Sequence, residues 1–258
     1  MDNMALNEFI SKTTHKTPSY HKKLHFIYAQ IKQYSEKNNK DIADLKILEA
    51  GCGDGGITLP LISLGCKIRS FDIDEKSVKN IQNIIRHNNI KNIEVSTGNA
   101  YTFNDNQSYD IIILSEVIEH VLDPKKVLNN LTNMMDRSSY LILTCPNGHG
   151  PWELRNRMLI YPVIRSNKIR NFMGKPQYIH GSGEDHCQFY KKNDIMDFLR
   201  NKFSLISFSS SDSILATLDL IYSKNQTLNN LFGKLDTKIA DHVPHWLGSG
   251  WYFCFEKS

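Results

Sequence analysis

The stretch Lys46 to Gly56, KILEAGCGDGG, constrains this chain more than any other, because a short apolar strand runs straight into a glycine turn that opens a helix. Glycines at such a bend leave no side chains between the backbone and a ligand, and the N–H groups at the helix start attract polar ligand atoms. The same rhythm continues downstream. Strands at Lys46 to Ala50 and Lys67 to Asp72 alternate with amphipathic helices at Gly55 to Leu64 and Glu75 to Asn88, which is βαβα order. A strand near Ile93 to Ser96 precedes the wholly apolar Ile111 to Leu114, which reads as buried on both faces. Asp123-Pro124 supplies an N-cap and a first-turn proline for a helix carrying Val127, Leu128, Leu131, Met134 and Met135, and Tyr140 to Thr144 is the next strand. A helix from about Asn193 to Asn201, a strand at Phe203 to Ser209 and a final strand at Gly250 to Phe255 complete the pattern. The expected class is α/β with a mostly parallel sheet.

Two segments interrupt the rhythm, at about 146–190 and 212–244, and are read as insertions that cap a substrate pocket. Residues 1–45 are expected to form a helical lid ahead of the main domain at 46–258; within it Leu24, Ile27, Tyr28, Ile31 and Tyr34 recur at helical spacing from Pro18 to about Asn38. Five scattered cysteines in 258 residues contain no C-x-x-C pair, so neither a disulfide framework nor a cysteine zinc site is indicated. Neither a signal pattern nor an apolar run of roughly 20 residues is present, and a cytoplasmic location is expected. A formal charge of +4 is compatible with an anionic substrate, nucleic acid or a membrane surface and chooses none of them.

Gly51, Gly53 and Gly56 satisfy G-x-G-x-x-G, and Asp72 stands at the end of the second strand, where a carboxylate can accept both ribose hydroxyls. A dinucleotide is therefore one reading. Charge argues for another: Glu49 and Asp54 would face the anionic pyrophosphate of NAD, whereas a sulfonium and an amino group would be attracted by the same carboxylates. The electrostatics favour S-adenosylmethionine. On these residues the chain resembles the class I S-adenosylmethionine-dependent methyltransferases over about residues 46–145. The resemblance implies a Rossmann-like, seven-stranded sheet with helices on both faces. It also implies that Glu49, Gly51 and Gly53 line the methionine part, Asp72 holds the ribose, and Asn99 with Ala100 in TGNAY reaches the adenine edge. Cys52, Ile73 and Ser115 complete the expected cofactor-binding set.

Ser115 to Val121, SEVIEHV, follows the buried strand at the carboxyl end of the sheet, where ligands bind in such folds. In a helical turn Glu116, Glu119 and His120 would fall at i, i+3 and i+4 on one face. Such a face suits Mg²⁺ or Zn²⁺, or His120 acting alone as a general base, or an ordinary solvated acidic turn. The EVIEH pattern and the later Asp185-His186 resemble the 3-demethylubiquinone-type O-methyltransferases and the small-RNA 2′-O-methyltransferases. By that resemblance Glu116, Glu119, His120 and His186 would form a metal site, with His120 and His186 the catalytic pair. TCPNG at Thr144 to Gly148 reads as a turn-shaping segment at the pocket rim, and His149, Trp152 and His180 as packing residues of the cap. The basic residues from Arg155 to Lys175 read as a solvated face, with RNA phosphates or a lipid surface as alternatives.

The expected function is methyl transfer to a small-molecule or lipid-linked acceptor, by O-methylation first. Alternatives are N-methylation, metal-dependent RNA 2′-O-methylation, an NAD-dependent dehydrogenase and a non-catalytic relative of the methyltransferases. The oligomeric state is not readable from the sequence.

Overall fold

The computed structural model describes residues 17–179, 186–213, 215, 217 and 225–258. Seven strands form one sheet: β1 (Lys46–Ala50), β2 (Lys67–Asp72), β3 (Ile93–Thr97), β4 (Tyr109–Ser115), β5 (Met135–Pro146), β6 (Phe203–Ser210) and β7 (Gly250–Lys257). Their spatial order is β3-β2-β1-β4-β5-β7-β6, with β7 antiparallel to both its neighbours and the other pairings parallel. The chain reverses on either side of β1, so β1 and β4 part at their carboxyl ends and open a crevice there.

The helices of the described residues are α1 (Pro18–Lys37), α2 (Thr58–Leu61), α3 (Glu75–His87), α4 (Pro124–Thr132), α5 (Pro151–Leu159), α6 (Tyr161–Arg165), α7 (Asn167–Phe172), α8 (Lys192–Leu199) and α9 (Gln226–Ile239). Several starts are written locally. Asp74 caps α3 by accepting from the N–H groups of Lys76 and Ser77, and Asp123 caps α4 by accepting from Lys126 N–H ahead of Pro124. Both faces of the sheet are covered. Ile47, Ile111 and Ile113 pack with α1 and α3, while Leu48, Ile112 and Leu114 pack with α4 and α8. α1 belongs to this core through Leu24, Ile27 and Ile31, all at most 1% exposed, so the apolar stripe of this helix packs as a layer of the domain.

Three local expectations are corrected. The helix expected from Gly55 to Leu64 shrinks to α2 and a 3-10 turn at Ile62–Leu64, because Pro60 has no N–H to give the Gly56 carbonyl; the Tyr20 hydroxyl of α1 donates to it instead, at 2.5 Å. The helix after Asp123 stops at Thr132, and Met135 is already paired with Tyr109 in the sheet. Finally, Ser115 to Val121 is not one helical turn: β4 runs through Ser115, Glu116 has φ +54°, and only Ile118–His120 forms a 3-10 turn. His180 and Asp185 lie outside the described residues.

Candidate active site

The bend after β1 forms because Gly51 and Cys52 both donate to the Phe71 carbonyl, at 2.8 and 3.0 Å, which turns the chain back toward β2. Gly51 has φ +79°, and a Cβ there would come within 2.5 Å of Val117 Cγ2. Gly53 differs. It has φ +49°, and a Cβ on it would meet no atom within 4 Å, so its bare backbone faces open space. That space is a cavity of about 700 Å³ lined by the two glycines, by Asp72 and Ile73, by Asn99 and Ala100, and on its far side by Glu116, His120 and Leu122. Asp72 is held in place by the N–H groups of Gly53 and Asp74, one on each carboxylate oxygen, at 2.7 and 2.8 Å. Ile73 and Leu122 are 72% and 61% exposed, forming an apolar rim on which a flat ring can lie. Asn99 accepts from Tyr101 N–H at 2.9 Å, which folds its own turn into the cavity wall.

Three of the residues expected at the cofactor lie outside this lining. Ser115 points to Thr144, with 2.8 Å between their hydroxyls, and Cys52 is buried behind the bend. Glu49 is 2% exposed and receives a hydrogen bond from the Thr58 hydroxyl, which also contacts Ser70. Burial, opposed by the Thr58 hydrogen bonds and reinforced by Asp72 and Asp54, pushes its carboxyl up to about 8. Glu49 is therefore neutral at pH 7. The carboxyl groups that line the cavity are those of Asp72, Asp74 and Glu116.

Beyond Glu116 the polar groups converge. Glu119, His120 and His186 each bring one ligand atom to within 4.8 Å of the others. The approach of His186, distant in sequence, is fixed by main-chain bonds: the Glu119 carbonyl accepts from the N–H groups of Cys187 and Gln188, at 2.9 and 3.0 Å. Glu119 is 1% exposed, and neither of its carboxylate oxygens has a hydrogen-bond partner among the described residues. Burial and the neighbouring Glu116 push its carboxyl well above the ordinary range. A buried carboxyl beside two imidazoles is a set that could hold a cation. Glu116 stands outside this trio, because its left-handed backbone turns it toward Thr144 Oγ1 at 2.6 Å and Lys23 Nζ at 3.2 Å. Burial acts to raise Glu116, but Lys23 and the Thr144 hydroxyl outweigh it and hold the carboxyl below its ordinary value.

Sequence reasoning missed Glu153. It is fully buried on α5, and its Oε2 lies 2.8 Å from His186 Nδ1, which holds the ring in place and leaves Nε2 as the nitrogen not bound to Glu153. In the sequence Glu153 is simply an acid in the first turn of a helix, the default place for one, and carries no other signal. Asn147 does the shaping expected of TCPNG: its amide donates to the carbonyls of Gly248 and Trp246, at 2.9 and 3.1 Å. Of the basic residues expected on a solvated face, Arg170 is 4% exposed and donates to the Pro176 and Ile164 carbonyls, and Arg155 donates to the Thr217 carbonyl.

A crevice at the carboxyl ends of parallel strands, with a glycine bend after β1 and an acid closing β2, defines an α/β enzyme that binds an adenosyl cofactor. The antiparallel β7 between β5 and β6 departs from the all-parallel dinucleotide order. The chain belongs to the methyltransferase domain family, whose model matches residues 41–202, and it is an S-adenosylmethionine-dependent methyltransferase. Among similar proteins, the ubiquinone biosynthesis O-methyltransferase of Rickettsia bellii is 27% identical over 179 residues, covering 69% of this chain and 68% of that one. A SAM-dependent methyltransferase from Methanosarcina mazei superposes with a TM-score of 0.55 at 17% identity, covering 83% of this chain and 93% of that one. Coclaurine N-methyltransferase bound to N-methylheliamine and SAH gives 0.54 at 14% identity, covering 89% and 71%. These two likenesses show the fold.

Proposed function

We propose that the protein transfers a methyl group to a hydroxyl oxygen of a small-molecule acceptor, and that Glu119, His120 and His186 hold a divalent cation, Mg²⁺ or Zn²⁺, at the point of transfer. The observation that carries this reading is the buried Glu119 carboxyl, with neither oxygen hydrogen-bonded among the described residues, beside His120 and His186. The name of the Rickettsia relative, an O-methyltransferase, agrees with a hydroxyl acceptor.

S-adenosylmethionine supplies a methyl group on a sulfonium, which a nucleophile displaces in line. The residues of this chain bind, orient and exclude water. Gly51 and Gly53 would let the backbone approach the cofactor, Asp72 would accept its ribose hydroxyls, and the apolar rim of Ile73 and Leu122 would meet the adenine. The cation held by Glu119, His120 and His186 would lower the pKa of the acceptor hydroxyl as a Lewis acid. Glu153 keeps His186 in the orientation this demands. A second reading rests on that same 2.8 Å contact, in which His186, oriented by Glu153, removes the acceptor's proton without a metal.

A labelled-methyl assay on a metabolite extract distinguishes the two. Transfer abolished by EDTA, restored by Mg²⁺ or Zn²⁺ and lost in Glu119→Gln supports the cation. Transfer indifferent to EDTA and to Glu119→Gln, yet lost in His186→Gln, supports the base.

A lipid-linked acceptor agrees with the outer face of α5 to α7. Met158, Phe172 and Met173 are 76%, 93% and 58% exposed there, next to the exposed Lys168 and Lys175. Apolar side chains interleaved with lysines match an anionic bilayer surface. Among the described residues no helix is long and apolar enough to cross a membrane.

A further inference from the structure

We propose that a second cavity, on the opposite side of Glu116 from the cofactor cleft, is the acceptor subsite and that it takes a neutral, hydroxyl-rich acceptor of the glycosyl type; this rests on the methyl-transfer reading above. The cavity has a volume of about 440 Å³, within the range of small-ligand sites and ample for a pyranose ring. Glu116 lines both cavities, His120 the cofactor side and His186 the other. Ligands in the two spaces therefore meet at the cluster of Glu119, His120 and His186.

The composition of the wall carries the substrate class. Among the described residues that line it there is no Leu, Ile, Val, Met or Phe. Pro18 and Pro146 are the aliphatic rings among them, a small surface for an isoprenoid tail to pack against. The wall offers hydroxyls and carboxylates instead. Asp212, just beyond β6, uses one oxygen, Oδ2, to accept from Ser19 at 2.7 Å and Ser249 at 3.3 Å, while its Oδ1 accepts no hydrogen bond among the described residues. Glu116 likewise commits Oε1 to Lys23 and Thr144 and leaves Oε2 without a partner among them. Two acceptor oxygens thus remain open at the wall, where neighbouring hydroxyls of a sugar would donate. Trp152 adds an aromatic surface of the kind that packs against the C–H face of a pyranose.

Charge narrows the class further. The wall carries three carboxyl groups, Glu116, Asp212 and Asp236, against Lys23 and His186. Asp212 and Asp236 stand outside the cation cluster, and a phosphate or carboxylate of the acceptor lying against them would meet repulsion, which favours an uncharged polyol there.

The test uses the whole protein saturated with S-adenosylhomocysteine, whose own affinity is measured first by calorimetry. Saturation-transfer NMR then compares methyl α-glucopyranoside and methyl α-rhamnopyranoside with a prenylated catechol, propylamine and adenosine monophosphate. The expected result is transfer to the pyranoside ring protons. Asp212→Asn should weaken it by about tenfold or more, the scale of one hydrogen bond to a charged group, and Trp152→Leu by about fivefold, the scale of one aromatic contact. The affinity for S-adenosylhomocysteine should stay unchanged. Saturation of the catechol, the amine or the nucleotide without the pyranosides overturns the proposal, and so does pyranoside binding indifferent to both variants. Failure of S-adenosylhomocysteine itself to bind overturns the methyl-transfer reading instead, and circular dichroism shows whether each variant is folded.

Discussion

Replacing Glu49 by glutamine changes the protein's response to pH in a way that can be worked from one buried carboxyl. Glu49 ionises near 4.5 in the unfolded chain and is pushed up to about 8 when folded, first by burial and then by Asp72 and Asp54. Between those values the folded protein keeps a proton that the unfolded chain has lost. Its stability therefore falls as pH rises through that window, by about 1.4 kcal/mol per pH unit, and levels off above 8. At pH 7 the accumulated cost is about 3 kcal/mol. Glutamine keeps the shape and removes the titration, but its amide brings one more buried N–H than a protonated carboxyl, worth about 1 kcal/mol against it. The variant should thus be less stable than wild type by about 1 kcal/mol near pH 4.5 and more stable by about 2 kcal/mol at pH 7. Urea unfolding at half-unit pH steps from 4.5 to 8.5 reads the crossing directly. A stability difference that does not change with pH would show that Glu49 titrates normally, and the reasoning would fail. The same neutrality predicts that the ratio of affinities for S-adenosylmethionine and S-adenosylhomocysteine at pH 7 is unchanged in Glu49→Gln and reduced in Asp72→Asn, since only the latter carries a charge for the sulfonium to feel.

Three further outcomes follow from the site. Gly53→Ala should lose S-adenosylhomocysteine affinity in calorimetry while costing only about 1–2 kcal/mol of stability, the strain of a left-handed alanine, because its Cβ meets only the cavity; Gly51→Ala adds the clash with Val117 and should lower the melting temperature further. Glu153→Gln should weaken Zn²⁺ binding by about 10–100-fold in a calorimetric titration, with the cofactor affinity intact; unchanged metal affinity would separate Glu153 from the cluster. Sedimentation with vesicles containing phosphatidylglycerol should retain the wild type at low salt and release the double variant Met158→Ser, Phe172→Ser; equal retention of both would clear α5 to α7 of a membrane role.

Much of the fold was legible in local chemistry. The glycine bend, the caps at Asp74 and Asp123 and the runs of Ile and Leu in β1 and β4 act within a few residues, and each leaves its mark in the order of side chains. Asp72, Asn99 and His120 line one cavity and were open to the same reading, since each stands at the end of a strand or in the turn after one. Tertiary structure alone decided the rest. Glu49 is neutral because β1 is buried on both faces, a property of the assembled sheet. Glu116 leaves the expected trio because a left-handed residue sits between β4 and the 3-10 turn, where a helix was anticipated. Glu153 reaches His186, and Asp212 the hydroxyl of Ser19, across 33 and 193 positions of chain. Such contacts form only when the insertion helices and α1 fold back over the carboxyl end of the sheet. Spacing along a chain records short-range forces, whereas burial and charge at a closed site depend on what the fold brings from far away.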